Sequence, residues 1–360
     1  MKIKIHRRGT VALLATALVL AACGAAPVQN WPGLTASDTT AYVAFGTNIY
    51  AVNTADGVKR WQFPVESYDE VGPFYADPLL AGDLLIVTSF NKSAYALDPA
   101  TGAQKWVFAG STDRLIAGAA ASGNQVFIAS ADSNLYAVDL ATGSKNWTFT
   151  AKGGLWAAPL ATGDTVYVPS MDHHLYALDS ASGSQKWAVE LNGASAGTPA
   201  IAGGTLFVGS LNDTLYALDS ATGRELWTVT AAGWVWGAPL VTDTALYFGD
   251  LHGKIYSVDP ATGKVNWTSQ PDAAVRSTLA VQGDTLIVPT NSGSVFGLST
   301  ADGAVRWQKS LDDDNADRLL ASPVVAGDRV LIAPLSAKYL VYALNIGDGT
   351  VQWFFDPKAK

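Results

Sequence analysis

Apolar and polar residues alternate in short runs along this chain of 360 residues. Two of these runs, residues 165–168 and 175–178, are rich in β-branched and aromatic side chains and predict strands. The stretch 179–183 that follows predicts a hairpin turn, because its aspartate accepts hydrogen bonds from nearby backbone amides and its glycine adopts a positive φ. A further strand is predicted on the next run, and another around residues 158–160.

This unit recurs eight times, and each copy has a glycine followed four residues later by a tryptophan. The glycines are Gly57, Gly102, Gly143, Gly183, Gly223, Gly263, Gly303 and Gly349. The tryptophans are Trp61, Trp106, Trp147, Trp187, Trp227, Trp267, Trp307 and Trp353, spaced 45, 41, 40, 40, 40, 40 and 46 residues apart. Four strands in a period of this length are typical of a propeller blade, which must stack on its neighbours to bury both faces.

The repeat therefore predicts an all-β fold, an eight-bladed β-propeller of four-stranded antiparallel blades. We expect the eight tryptophans to dock between neighbouring blades, where each large ring buries apolar surface.

The first residues of the chain differ from the repeats. Four basic residues precede the apolar run 11–21, which is short for a membrane span and predicts an export signal over residues 1–22. The following sequence Leu-Ala-Ala-Cys resembles a bacterial lipobox, which implies cleavage before Cys23 and acylation of that residue. The alternative is an ordinary secretory signal in which the cysteine occurs by chance.

We therefore expect a lipoprotein signal peptide at residues 1–22, a lipidated tether at 23–30 and a single propeller at 31–360. No acidic residue follows Cys23 directly. By resemblance to lipoproteins of cells with two membranes, this implies the periplasmic face of the outer membrane. In a cell with one membrane, the cell-surface membrane is expected instead.

Composition and charge narrow the classes of function. A hydrophobic content of 49% with 15% charged residues supports a large core and argues against disorder. Loss of the signal removes four of the 23 basic residues, which leaves 19 against 31 acidic ones, a net charge of −12. That balance argues against nucleic acid as a partner.

A second set of corresponding positions predicts a ring around the axial channel. Inner strands are predicted to begin near Pro78, Pro159, Pro199, Pro239 and Pro323, with Ala119 and Leu279 at the matching places. Three residues before each of these lie Tyr75, Ile116, Trp156, Ala196, Trp236, Arg276 and Leu320. Trp, Tyr and Arg are frequent anchors of recognition sites.

From this ring, and from Trp234 beside it, we take Tyr75, Trp156, Trp234, Trp236 and Arg276 as candidates for binding a ligand or partner peptide at the channel mouth. The alternative is that they pack between blades. Their variation from blade to blade and the presence of an arginine favour binding.

Other polar clusters carry weaker signals. The long connections 62–77 and 308–322 are acidic, with Glu66, Asp69, Glu70, Asp312, Asp313, Asp314 and Asp317. We interpret them as solvated loops, since a calcium loop would need a glycine and a terminal Glu that they lack. Another group at the expected mouth comprises Asp172, His173, His174, Asp250 and His252. Its members belong to blades 4 and 6, which are not adjacent, so we predict no metal site, and no catalytic motif is present.

The pattern Leu-Tyr-Ala-Leu-Asp-x-Ala-Thr-Gly-x-x-x-Trp resembles the tryptophan-docking repeat of pyrroloquinoline-quinone (PQQ) propellers. The resemblance covers about residues 31–355. Two families share this fold, the quinoprotein dehydrogenases and the BamB-like lipoproteins, which scaffold outer-membrane β-barrel assembly and bind no quinone. Fold alone does not choose between them.

The resemblance to the dehydrogenases would imply a quinone clamped between a Trp and a disulfide of adjacent cysteines, with bound Ca²⁺ and an Asp base. Cys23 is the only cysteine of the sequence, and the blades lack the large insertions of those enzymes. The BamB-like interpretation is therefore favoured: a non-enzymatic, monomeric, membrane-anchored scaffold with protein partners and no cofactor. A PQQ-dependent dehydrogenase and a propeller that binds a small ligand or glycan are the alternatives.

Overall fold

The computed structural model describes residues 31–65, 71–311, 318–335 and 338–358. The predicted signal, the tether and Cys23 lie outside these ranges. So do the acidic residues of the two long connections, Glu66, Asp69, Glu70, Asp312, Asp313, Asp314 and Asp317. Within the described ranges, no helix has both the length and the apolarity required to cross a membrane.

The described residues form thirty-two strands, four in each blade. Blades 1 to 4 consist of β1 (Gly33–Ala36), β2 (Thr40–Phe45), β3 (Asn48–Asn53), β4 (Lys59–Phe63), β5 (Leu79–Ala81), β6 (Leu84–Thr88), β7 (Ala94–Leu97), β8 (Gln104–Phe108), β9 (Ala119–Ser122), β10 (Gln125–Ala129), β11 (Asn134–Asp139), β12 (Lys145–Thr150), β13 (Leu160–Thr162), β14 (Thr165–Pro169), β15 (His174–Asp179) and β16 (Gln185–Glu190). Blades 5 to 8 consist of β17 (Ala200–Ala202), β18 (Thr205–Ser210), β19 (Thr214–Asp219), β20 (Glu225–Thr230), β21 (Leu240–Val241), β22 (Leu246–Gly249), β23 (Ile255–Val258), β24 (Val265–Ser269), β25 (Ala280–Gln282), β26 (Thr285–Pro289), β27 (Ser294–Ser299), β28 (Val305–Ser310), β29 (Val324–Ala326), β30 (Arg329–Ile332), β31 (Val341–Asn345) and β32 (Val351–Phe355).

Each blade is a sheet of four strands that pair in chain order, so the prediction of eight four-stranded antiparallel blades is confirmed. Two strand positions differ from the prediction. The strand expected around residues 158–160 is β13, which starts at Leu160 because Pro159 has no amide hydrogen for the ladder. The inner strand of blade 1, expected at residues 31–34, runs from Gly33 to Ala36.

The first strands of neighbouring blades contact one another and surround the axis. The hydrophobic core lies between the blades rather than within one layer. Phe127 and Leu135 of blade 3, for example, pack with Val166 and Val168 of blade 4, and all four are fully buried. Each blade thus depends on its neighbours for burial.

The hairpin turns between third and fourth strands form as the sequence predicts. In blade 4, Oδ1 of Asp179 accepts hydrogen bonds from the amides of Ala181 (3.2 Å) and Ser182 (2.9 Å). Hydrogen bonds from the Ser182 hydroxyl and amide lower the pKa of this carboxyl. The amide of Gly183 donates to the carbonyl of Asp179, and the glycine has a φ of +73°.

The repeated tryptophans join each blade to the next. The indole N–H of Trp187 in blade 4 donates to the carbonyl of Ser220 in blade 5 at 3.2 Å, and the ring lies against Gly223. A Cβ atom placed on any of the eight repeat glycines would come within 2.5 to 2.8 Å of an indole atom. These glycines therefore leave the space that the rings occupy.

The same contact closes the ring. Trp353 of blade 8 packs on Gly57 of blade 1 and donates to the carbonyl of Thr54 at 3.1 Å. Since β1 pairs only with β2 among the described strands, blades 8 and 1 are joined by side-chain packing and not by a shared sheet. Trp227 keeps the packing on Gly263, but its indole N–H has no hydrogen-bond partner.

Candidate functional site

The loops that lead into the first strands surround a cavity of about 600 Å³ on the propeller axis. All seven residues of the sequence-derived ring line it: Tyr75, Ile116, Trp156, Ala196, Trp236, Arg276 and Leu320. Trp234, the remaining candidate, lies in the loop before blade 6 but outside the lining. A volume of this size is within the usual range for ligand sites.

The loops around the mouth are held by the links between second and third strands. The amide of Leu251 donates to the carbonyl of Trp234 at 3.1 Å, and the amide of Met171 donates to the carbonyl of Gly154 at 3.0 Å. Other blades repeat this bond. The mouth is therefore a fixed platform built from two sets of loops at the same end of the propeller.

Buried carboxylates strengthen this platform. Asp132 accepts hydrogen bonds from the Thr112 amide (2.8 Å) and the Tyr136 hydroxyl (2.7 Å). Burial opposes ionisation of Asp132, but these hydrogen bonds outweigh it and lower its pKa to about 2. Burial and the bond to Asp132 raise the pKa of Tyr136 to about 12. The carboxylate therefore stays ionised and the phenol stays neutral at physiological pH.

The two aspartates of the histidine and aspartate group at the mouth have the same structural role. Asp172 accepts from the Tyr176 hydroxyl at 2.7 Å and from the Lys152 amide at 2.9 Å. Asp250 is fully buried, and its two oxygens accept from four backbone amides and from the Tyr256 hydroxyl. No group of three or more potential metal ligands occurs among the described residues.

Aromatic side chains meet inside the mouth. Trp31 enters from the N-terminal end of blade 1, donates to the carbonyl of Leu320 at 3.4 Å and stacks on Trp236 of blade 6 with ring centroids 6.2 Å apart. The guanidinium of Arg276 lies over the same Trp236 ring, 5.4 Å from its centroid. Trp31 thus reaches across the channel, which no repeat pattern indicated because this residue precedes the first repeat.

Two tryptophans of the mouth face solvent. Trp156 and Trp234 are 42% and 47% exposed, whereas the docking tryptophans are buried or half-buried. Tyr75 packs on Phe90 with ring centroids 4.2 Å apart, and the Arg114 guanidinium lies 5.5 Å from the Phe90 ring centroid. Exposed aromatics beside a cavity are typical of recognition surfaces.

Asp77 is a residue of the cavity that the sequence analysis missed. Its Oδ1 accepts a hydrogen bond of 2.9 Å from the Leu34 amide. Burial among the surrounding blades raises its pKa to about 6, and the bond from Leu34 opposes this shift. Its side chain is still accessible from the channel. The surrounding protein atoms therefore raise the pKa of Asp77, and water in the channel makes this rise smaller.

Among the described residues that line the cavity, Asp77 and Arg276 are the two that carry a charge. The corresponding residues to Asp77 in the later blades are Gly118, Ala158, Thr198, Ala238, Thr278 and Ser322. A charged residue among small neutral ones was the signal that could have identified it.

Comparisons with known proteins support the propeller fold. The family model of the outer membrane protein assembly factor BamB matches residues 25–115, 109–195 and 189–359. A comparison with curated protein sequences finds no match. Among solved structures, BamB from Moraxella catarrhalis has a TM-score of 0.69 at 22% identity and covers 79% of this chain and 88% of its own. The computationally designed Ika8 protein has a TM-score of 0.75 at 14% identity, with 91% of this chain and 97% of its own covered.

At these identities the solved structures show the fold alone, but the family model spans nearly the whole propeller. The chain belongs to the family of the outer membrane protein assembly factor BamB.

Proposed function

We propose that this protein is a non-catalytic scaffold, anchored to the outer membrane by a lipid on Cys23, that binds a component of the machinery for β-barrel protein assembly. The observation that carries this proposal is the family match across the propeller together with the exposed Trp156 and Trp234 at the channel mouth. Large aromatic side chains that are exposed on a fixed platform supply binding energy at little cost in conformational entropy.

The residues present do not fit a quinone. The sequence has a single cysteine, so a disulfide of adjacent cysteines cannot form. The Trp236 ring already has Trp31 stacked on it and Arg276 over it, so this ring offers less free surface for a planar cofactor. We therefore propose that the protein binds no PQQ and performs no dehydrogenase reaction. The purified protein should lack quinone absorbance and should reduce no dye when alcohols or sugars are added.

The scaffold is tested by purifying the full chain, with its signal, from gently solubilised membranes of its native cell. The wild type should retain a β-barrel assembly component identified by mass spectrometry. The double variant Trp156→Ala/Trp234→Ala should retain at least tenfold less, because both anchors of the mouth are lost.

A matched control removes exposed apolar side chains from the outer strands. Leu226 in β20 is 40% exposed and Val305 in β28 is 54% exposed. Leu226→Ala/Val305→Ala should retain the partner at the wild-type level. Equal loss in both double variants, or no assembly component in the wild-type sample, would contradict the proposal.

A further inference from the structure

The cavity contains two opposite charges that the protein leaves unpaired. The Nε of Arg276 is buried and has no hydrogen-bond partner, and its recorded contact is the face of Trp236. Neither Arg276 nor Asp77 takes part in the ion pairs found among the described residues. The two charges line one cavity but do not pair with each other.

A buried hydroxyl beside Arg276 is also unsatisfied. Ser277 is 4% exposed, lines the cavity, and its Oγ has no hydrogen-bond partner. A buried polar group without a partner costs about 1–3 kcal/mol. Ser277 follows Arg276 directly in the chain, and both residues line the cavity. A guanidinium with a neighbouring hydroxyl donor suits a carboxylate group.

Asp77 has spare capacity as an acceptor. A carboxylate accepts about four hydrogen bonds, and the hydrogen bond from Leu34 is the one recorded for Asp77. Its charge faces a cavity in which the other charged group is a cation on another blade. An ammonium group would give Asp77 both a hydrogen-bond donor and a compensating charge.

We propose that the channel cavity binds a short zwitterionic peptide, with its carboxylate at Arg276 and Ser277, its ammonium at Asp77 and its apolar side chains against Trp31 and Trp156. This site goes beyond the scaffold role and does not depend on it. The protein partner is assigned to the exposed rim, where Trp234 lies outside the cavity lining, and the peptide to the interior of the channel; Trp156 borders both.

Charge balance selects this class of ligand. A purely anionic ligand would satisfy Arg276 but would be repelled by Asp77, and a neutral sugar would leave both charges without a counter-charge. A zwitterion compensates both charges, one positive and one negative, that the described residues of the lining carry. The aromatic lining favours apolar side chains, and about 600 Å³ accommodates a peptide of two or three residues.

The test is calorimetric titration of the full chain with the dipeptide Leu-Leu at pH 7.5. Two blocked peptides of the same sequence serve as probes: N-acetyl-Leu-Leu has no ammonium, and Leu-Leu amide has no carboxylate. We expect saturable binding of the free dipeptide and at least tenfold weaker binding of each blocked form. Comparing the affinities of Leu-Leu and the tripeptide Leu-Leu-Leu shows which distance between ammonium and carboxylate fits the cavity better.

Two variants assign each end of the peptide. In Arg276→Gln, the free and amidated peptides should bind equally weakly. In Asp77→Asn, the free and acetylated peptides should bind equally weakly. Arg224→Gln is the matched control, because Arg224 lies in the hairpin turn before β20 at the opposite end of the propeller and should bind like the wild type. Thermal unfolding of each variant shows that it is folded.

The pH dependence provides a second readout. Among the described residues of the lining, the titratable and charged groups are Tyr75, Asp77 and Arg276. Burial raises the pKa of Tyr75, so its hydroxyl stays neutral over this range. Between pH 7.5 and 5, protonation of Asp77 should weaken binding of Leu-Leu several-fold in the wild type and not in Asp77→Asn.

The absence of saturable binding by any of these peptides up to 10 mM, or equal binding of free and blocked peptides, would overturn the proposal. So would tight binding that persists in Arg276→Gln. The two proposals fail separately, because Trp234 lies outside the cavity lining: Trp234→Ala should weaken retention of the assembly component while the binding of Leu-Leu stays at the wild-type level.

Discussion

The outer and inner rings of this propeller are built from corresponding positions of the same repeat, yet they differ in how much they vary. In the outer ring, every blade has the same tryptophan packed on the same glycine of the next blade. In the inner ring, the corresponding residues range from Ala196 to Trp236 and Arg276. The constant ring makes the contacts that hold the blades together, and the variable ring offers exposed aromatic and charged groups.

In this chain, the positions that repeat in every blade stabilise the fold, and the positions that differ between blades are available for recognition. A contact that every blade needs is repeated eight times, so substitutions there should affect unfolding. A position that differs in each blade is free of that requirement, so substitutions there should affect binding.

The strongest effect is expected from adding one methyl group to the outer ring. Gly183 has a φ of +73°, and a Cβ atom there would lie 2.5 Å from the Trp147 ring. Gly163→Ala is its control in the same blade, since Gly163 has a φ of +58° and open space around it. Gly183→Ala should destabilise the protein by about 3 kcal/mol and Gly163→Ala by about 1 kcal/mol in denaturant unfolding. Equal losses of stability in the two variants would contradict a specific role for the contact between Gly183 and the Trp147 indole.

The second prediction separates the indole hydrogen bond from packing. Trp187 donates to the Ser220 carbonyl, whereas the buried N–H of Trp227 has no partner. Both Trp187→Phe and Trp227→Phe remove the same part of the ring, but only the first removes a hydrogen bond. The unfolding free energy should fall by about 1 kcal/mol more for Trp187→Phe. A larger loss for Trp227→Phe would contradict this assignment.

The third prediction concerns the inner ring, where a substitution should raise the stability of the protein instead of lowering it. Burial raises the pKa of Asp77 to about 6, so the folded state holds its proton more tightly than the unfolded state does. The charged carboxylate therefore lowers stability as the pH rises from 4 to above 6. Asp77→Asn should raise stability by about 1 kcal/mol at pH 7, a value reduced for water in the channel, and by nothing at pH 4. Thermal unfolding at the two pH values measures this difference.

The sequence predicted the parts of the molecule that repeat. Eight glycine–tryptophan pairs at a spacing near 40 residues determined the number of blades, and a fixed offset from the inner strands brought Tyr75, Trp156, Trp236 and Arg276 to one cavity. Such positions are predictable because symmetry relates them, even when the residues differ.

Contacts in the channel that involve residues outside the repeat could not be predicted from the sequence. Trp31 precedes the first repeat, and its stacking on Trp236 depends on a path across the channel that only the folded ring provides. The sequence also does not show that Asp172 and Asp250 accept hydrogen bonds from backbone amides and tyrosine hydroxyls, because these partners come from other loops and strands of the folded blade.

The most direct test of the account is photocrosslinking from two ends of one blade. A photoreactive amino acid is placed at position 234, on the loop at the channel mouth, or at position 243, an exposed turn residue at the opposite end of blade 6. We expect position 234 to crosslink in native membranes to an outer-membrane assembly component and position 243 not to do so. Crosslinks to that component from position 243 alone would contradict the assignment of recognition to the mouth.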